Sequence, residues 1–188
     1  MPVLAALVAS CAVAPRRPDA ARAMRPDVDA RSVERAIHDA TNVARRRQRV
    51  HVLAHEDALA AVARRHSADM ARQGFFAHAA PDGSDANVRA ARADLACRVR
   101  LVDRTSVGFS ENLAQVWLFS RWTETRTAVG TRRTYTWLTP DEIVAETVDG
   151  WLASPGHRRN LLLDHARREG VGVAIGDDGQ VFVTQLLC

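Results

Sequence analysis

Hydrophobic positions along the chain recur first at helical spacing and later at strand spacing. Residues 32–48 carry one apolar stripe, and a clearer one runs from Leu59 to Met70 before Gly74, which is a helix stop signal. Near the carboxyl end, residues 170–175 and 180–186 alternate on either side of an Asp-Asp-Gly turn. Helices followed by a terminal hairpin predict an α+β domain with a small antiparallel sheet.

The middle of the chain adds two helices and an aromatic-rich excursion. Residues 87–98 have a helical pattern, and Thr139 opens a further helix as an N-cap, with Pro140 at its first position and Glu142 completing a capping box. Residues 113–137 carry aromatic side chains around a polar, glycine-containing centre. This arrangement predicts an extended excursion that resembles a β-hairpin.

A short apolar run at the amino end points to export. Residues 2–10 are too few to span a bilayer, which takes about 20 residues, but they have the length of a signal-peptide core. Val8 to Cys11 resembles a bacterial lipobox, in which the cysteine becomes the lipidated first residue. We therefore expect a signal peptide over residues 1–10 and lipidation of Cys11. No positive segment precedes the run, so a start upstream of Met1 and an apolar tail with a chance cysteine stay open.

The next segment has the composition of a linker. Residues 11–31 contain three prolines, several charges and no apolar periodicity, so they predict a flexible tether ahead of a domain over residues 32–188. A tether suits a lipoprotein held at a membrane by its lipid anchor, and it suits a secreted protein equally well. Either way, the predicted location is extracytoplasmic.

Two cysteines remain after Cys11. In an oxidising compartment, Cys97 and Cys188 are expected to form a disulfide that fastens the last residue of the chain to the fold.

Charge weighs against a nucleic-acid binder. All 26 basic residues are arginine, and the net charge is +4. However, these arginines are scattered among acids, only residues 45–47 form a run, and aromatic residues make up 5% of the chain. A nucleic-acid interface normally gathers basic and aromatic side chains into one stripe.

Three polar residues stand at the ends of predicted elements: His78, Glu111 and His157. Brought together, they would bind zinc or another divalent metal through the two histidines, or supply acid–base groups. The structural alternatives are a carboxylate that holds loop amides and a histidine at a helix terminus. His66 falls within an apolar stripe and is expected to pack in the core. The sequence contains no nucleophile elbow, Walker loop, dinucleotide fingerprint or His-Glu-x-x-His motif.

Five ordered motifs resemble the CAP superfamily of cysteine-rich secretory, antigen-5 and pathogenesis-related-1 proteins, in its bacterial, extracellular SCP-like branch. The resemblance covers residues 33–188 and rests on these segments: His66–Met70 with Phe75–His78, Glu111–Ala114, Trp151–Leu162, Gly170–Val173 and Phe182–Gln185.

This resemblance implies an α-β-α sandwich with a central antiparallel sheet and a cavity lined by two histidines and two acids. By motif, the histidines fall on His78 and His157 and one acid falls on Glu111. The second acid would fall near Ser154, where this chain has a serine, so the set is incomplete. The excursion at residues 115–138 is placed to roof or flank the cavity.

The resemblance leaves the activity open, because family members have been linked to lipid or sterol binding, protease-like activity, nuclease activity and protein interaction. Our first hypothesis is a cell-envelope protein anchored through Cys11 whose cavity binds a peptide, glycan or lipid ligand, with or without a divalent metal. The alternative is a metal-assisted hydrolase of a peptide, glycan or nucleic-acid substrate, in which His78 and His157 hold the metal and Glu111 is the general base. A purely structural envelope role is the third hypothesis.

Overall fold

The computed structural model describes residues 25–100, 104–128 and 130–188. The expected signal peptide, Cys11 and the tether up to residue 24 lie outside these residues. Within them, no helix is long and apolar enough to cross a membrane. The first helix begins at Ala30, two residues before the apolar stripe that the sequence shows. Asp29 caps it, because its carboxylate accepts hydrogen bonds from the backbone amides of Arg31 and Ser32.

Helices and strands alternate through the described part of the chain. The helices are α1 (Ala30–Arg47), α2 (Asp57–Gln73), α3 (Ala86–Ala91), α4 (Pro140–Ala153) and α5 (Pro155–Leu161). The strands are β1 (Ala54–His55), β2 (Val99–Arg100), β3 (Ser106–Val107), β4 (Ser110–Trp117), β5 (Phe119–Thr127), β6 (Gly130–Trp137), β7 (Arg168–Ile175) and β8 (Gln180–Leu187).

A four-stranded sheet in the order β1-β7-β8-β4 forms the middle layer. Strand β8 is antiparallel to both β7 and β4, while the short β1 is parallel to β7. Helices α1, α4 and α5 pack against one face through Ile37, Ile143 and Leu161, and α2 and α3 cover the other. The predicted α-β-α sandwich with a small sheet is therefore confirmed, with one parallel edge strand in addition.

Helix α2 lies directly on β7 because two glycines leave room for it. A Cβ atom on Gly170 would stand 2.0 Å from the backbone nitrogen of Ala60, and one on Gly172 would stand 2.1 Å from that of Arg64. Both distances are far below contact range, so any side chain at these positions would push the helix off the sheet.

Helix α4 begins as predicted. Thr139 and Glu142 form the capping box, with Pro140 at the start of the helix. Farther along, Trp151 is 1% exposed, and its indole nitrogen donates a hydrogen bond to the carbonyl of Leu113 at 2.9 Å. This bond holds α4 against the edge strand β4.

The basic run in the last turn of α1 lies partly in the core. Arg45 is completely buried, and its guanidinium donates to the carbonyls of His51, Leu161 and Leu163 at 2.6, 2.7 and 3.0 Å. Arg45 therefore links α1 to the end of α5 and to the loop that follows it. Only the last two arginines of the run lie on the surface.

Residues 119–137 of the aromatic excursion form the predicted two-stranded ribbon, of β5 and β6, whereas residues 113–117 belong to β4 of the main sheet. Its base is anchored by the buried Leu118 and Leu138. At the far end of β4, the backbone amide of Leu118 donates a hydrogen bond to the carbonyl of Gly179, in the β7–β8 turn, at 2.9 Å. The base of the ribbon is therefore at the opposite end of β4 from Glu111.

The predicted disulfide between Cys97 and Cys188 is present. It ties the segment before β2 to the end of β8 and closes a loop with a sequence separation of 91 residues. In the chain-entropy model, a loop of this size contributes about 4–5 kcal/mol, the upper part of the usual range.

The contact between α2 and β7 predicts opposite effects for two glycine substitutions. Gly172→Ala should lower the free energy of unfolding by at least about 1–3 kcal/mol, because its Cβ meets backbone that cannot move aside. Gly150→Ala is the control, since Gly150 lies within α4 with nothing within 4 Å of the added Cβ. It should stabilise the protein by about 0.5–1 kcal/mol. Urea denaturation measures both, and equal effects would contradict this account of the layer spacing.

Candidate functional site

The site is built at the start of the edge strand β4. Adjacent residues on a strand point to opposite faces, so Glu111 faces the side of α2 and α3 while Asn112 faces that of α4 and α5. The outer edge of the strand is covered as well. Asn160 of α5 donates to the carbonyl of Glu111 at 3.0 Å, as Trp151 does to that of Leu113. Side chains from both helical layers therefore converge on this one end of the sheet.

Both carboxylate oxygens of Glu111 have partners. One lies 2.9 Å from Nδ1 of His78, and the other accepts a hydrogen bond from Arg89 of α3. The side chains of Glu111 and Arg89 are 5% and 9% exposed, whereas that of His78 is 58% exposed. The site is thus a buried ion pair with an imidazole standing over it, open to solvent.

Arg89 also holds the loop that carries His78. Its guanidinium donates to the carbonyls of His78 and Ser84, each at 2.8 Å. Its Nε is buried and has no hydrogen-bond partner among the described residues. Sequence reasoning missed Arg89, because nothing in the local pattern distinguishes it from the many other arginines.

His157 belongs to α5 and reaches the site from the other side. Asn112 fixes its backbone by donating to its carbonyl at 3.1 Å. Burial lowers the pKa of His157, and the neighbouring His78 lowers it further. The structure therefore brings His78, Glu111 and His157 together. It also adds Asn112 and Asn160, two further polar residues that the sequence reasoning gave no role.

His66 packs beneath this region, as expected from its apolar stripe. It is fully buried, and its Nε2 lies 3.0 Å from the carbonyl of Ala77. Burial lowers the pKa of His66, and the charge of Arg89 lowers it further. A neutral core histidine thus supports the loop that leads to His78.

Ser154 lies where α4 ends and α5 begins, three residues before His157. Its side chain is half-buried and makes no capping hydrogen bond with either helix. Glu111 is thus the only acid of the family set that the motifs place at this site. In this chain a guanidinium, Arg89, stands beside that acid.

The site offers a metal ion two imidazole ligands, those of His78 and His157, and few others. Among the described residues, no group of three or more histidine, cysteine or acidic side chains is arranged to hold a metal ion. Glu111 is committed to Arg89 and to Nδ1 of His78. That second contact is the orienting role that a carboxylate often plays behind a metal-bound histidine. The residues therefore fit, at most, a site in which His78 and His157 supply two ligands.

Comparison with known proteins identifies the fold and the family. A family model described as CAP, the cysteine-rich secretory protein family, matches residues 38–187. No curated protein sequence matches the chain. Among solved structures, an extracellular protein containing an SCP domain from Bacillus anthracis is similar at 27% sequence identity with a TM-score of 0.59. The match covers 84% of this chain and 40% of that protein, so this chain spans less than half of the Bacillus protein.

Two further structures share the fold at lower identity. An outer surface protein from Borrelia burgdorferi has a TM-score of 0.60 at 15% identity, and the match covers 87% of this chain and 97% of that one. A cysteine-rich secretory protein from Staphylococcus aureus has a TM-score of 0.54 at 13% identity, over 86% of this chain and 40% of that one. All three are bacterial proteins described as extracellular, outer-surface or secretory.

The proximity of the two histidines predicts a coupled titration. In His78→Ala, the pKa of His157 should rise, because the substitution removes a neighbouring positive charge and opens His157 to water. The shift is measured by following the imidazole resonances of His157 against pH by NMR. His51→Ala, at an exposed residue, is the control and should leave this titration unchanged. An unchanged pKa in His78→Ala would mean that the two imidazoles do not share a site.

Proposed function

Because the chain belongs to the CAP cysteine-rich secretory protein family, we propose that it is an extracytoplasmic binding protein of a bacterial cell envelope. It is held at the membrane by a lipid on Cys11 and binds its ligand at His78, Glu111 and His157. The ligand is an envelope peptide, glycan or lipid. The extracellular and surface descriptions of the similar structures support the location.

One observation carries the binding role: an exposed imidazole stands on a buried ion pair. Removing the Glu111 and Arg89 charges from water costs free energy that a purely structural contact could avoid with apolar side chains. Polar groups that converge in this way, with perturbed histidines beside them, are typical of functional sites. Among the residues that the structure describes, neither Nε2 of His78 nor the His157 ring has a hydrogen-bond partner, so both are available to a polar ligand.

A divalent metal, if bound, would be held by the imidazoles of His78 and His157, with Glu111 behind His78. Zinc sites normally have three or four protein ligands, so we expect the affinity of this pair to be modest. The metal would supply a positive centre for an oxygen atom of the ligand.

Hydrolysis with Glu111 as general base is less well supported. A general base needs a free lone pair within reach of the attacking water. In Glu111, one oxygen faces His78, the other is paired with Arg89, and the side chain is only 5% exposed, so its remaining lone pairs are poorly accessible to a water molecule. Binding therefore describes this arrangement better than proton abstraction does.

The binding role predicts that probe molecules perturb the two imidazoles. Zinc, a muramyl peptide, a chitin-type oligosaccharide and a short-chain phospholipid are added separately while the His78 and His157 resonances are recorded by NMR. We expect at least one probe to shift both resonances. The affinity of the protein for that probe should fall about tenfold in His78→Ala, because each good hydrogen bond to a charged group is worth about 1.5–3 kcal/mol. His51→Ala serves again as the control. If no probe shifts either resonance, the binding role of this site is wrong.

The anchor predicts a separate result. When the full chain is expressed in a bacterial host, the mature protein should begin at a lipidated Cys11 and fractionate with membranes. Cys11→Ser should abolish both the lipid mass increment and the membrane association. Mass spectrometry of the mature amino terminus makes the measurement. A protein that keeps residues 1–10, or that carries an unmodified Cys11, would exclude the lipid anchor without affecting the binding role.

A further inference from the structure

We propose that the ribbon of β5 and β6 is a membrane-contacting surface that binds anionic phospholipid headgroups. This goes beyond ligand binding at the histidine site. The choice of a membrane as the partner draws on the proposed anchor. The evidence is the exposure of large aromatic side chains on the ribbon, its charge and its position at the end of the molecule where the chain enters the domain.

Aromatic side chains cover the base and middle of the ribbon. Phe119, Tyr135 and Trp137 pack together with ring centroids 5.0–6.1 Å apart, and Trp117 joins them at 5.1 Å from Phe119. Trp117 is nevertheless 42% exposed and Trp122 is 50% exposed. Tryptophan and tyrosine are enriched at membrane–water interfaces, because their rings are apolar on one side and hydrogen-bonding on the other.

The charge of the ribbon is strongly basic. Its two strands carry four arginines and a single acid, Glu124, which pairs with Arg133. Arg133 also lies over the Trp122 ring, with its guanidinium carbon 5.4 Å from the ring centroid. The arginines are Arg121, Arg126, Arg132 and Arg133, all exposed. An arginine-rich surface with exposed tryptophans is complementary to an anionic interface.

The position of the ribbon favours a membrane over a soluble polymer. The first described residue, Arg25, donates a hydrogen bond to the carbonyl of Gly176 at 2.8 Å. Gly176 and Gly179 flank the β7–β8 turn, and the amide of Leu118 at the ribbon base bonds to Gly179 in that same turn. The chain therefore enters the domain next to the ribbon. Arg25 comes fourteen positions after Cys11, a reach of at most about 50 Å even when fully extended.

A domain anchored at Cys11 therefore has the ribbon at the end where the tether enters the domain. The histidine site is at the other end of β4, because Glu111 and Trp117 are six residues apart on one strand, or about 20 Å. This geometry does not favour the expectation that the excursion roofs the site. It lets the ribbon contact the headgroups while His78 and His157 face away from the membrane.

Vesicle binding tests this inference. The full chain is used with Cys11→Ser in every arm, so that lipidation contributes to none of them. Vesicles of phosphatidylglycerol with phosphatidylcholine, or of phosphatidylcholine alone, are sedimented with the protein. We expect binding to the anionic vesicles that weakens in 0.5 M salt. The double substitution Arg132→Gln with Arg133→Gln should weaken this binding about tenfold or more, since each basic residue at such a surface contributes about fivefold.

Matched variants separate a local contact from a general charge effect. Arg46→Gln with Arg47→Gln removes the same charge from an exposed position on α1 and should have little effect. Trp122→Ser should weaken binding as well, whereas Phe76→Ser, at another exposed aromatic residue, should not. The substituted arginines, Trp122 and Phe76 are all exposed, and thermal unfolding checks that each variant folds.

Two outcomes would overturn the inference. One is vesicle binding that is equal in the ribbon variants and their matched controls. The other is ribbon-dependent binding to single-stranded DNA or to a soluble glycan, without binding to anionic vesicles. Because Cys11 is absent from every arm, failure of this test leaves the proposed lipid anchor and the proposed binding site untouched.

Discussion

The close approach of α2 to β7 is the constraint on which the arrangement of the layers depends. Gly170 and Gly172 bring the backbone of the helix onto the backbone of the strand, at a spacing that no side chain would permit. The position of α2 on the sheet fixes where it ends, at Gly74, and so where the following loop begins. That loop carries His78 to the start of β4. The glycines therefore act on the site from a distance, by setting the starting point of the loop.

The other face of the sheet depends on a buried chain of polar side chains. Gln185 donates to Glu169 at 2.6 Å and accepts from Asn112 at 3.0 Å, and all three are fully buried. Glu169 also faces His38 at 2.6 Å, and this hydrogen bond raises the pKa of His38. This series of hydrogen-bonded side chains crosses β7, β8 and β4, and it ends where Asn112 donates to the backbone carbonyl of His157. Because an unpaired buried polar group costs free energy, these hydrogen-bonded side chains favour a single arrangement of the three strands.

The two ends of the sheet have different characters. At one end, an acid and two histidines converge over a buried guanidinium, and helices α4 and α5 cover the open edge of β4. At the other end, the strand runs into a ribbon whose two faces are largely exposed, beside the point where the chain enters the domain. A two-stranded ribbon is only marginally stable alone in water. Its aromatic base, anchored by Leu118 and Leu138, supplies the packing that the rest of the ribbon lacks.

Elements whose signals are local follow from the order of amino acids alone. The stripe of α2, the capping box at Thr139, the terminal hairpin and the ribbon each follow from spacing within one segment, and the ordered motifs assigned His78, Glu111 and His157 to one site. The other features depend on how distant segments pack together. Arg89 became the partner of Glu111 because α3 packs beside β4, and Asn160 became the cover of its edge because α5 folds over it. Likewise, the distance of the ribbon from the site follows from the direction of β4. Such contacts join residues far apart in sequence, and no local pattern records which of many similar side chains the packing will bring together.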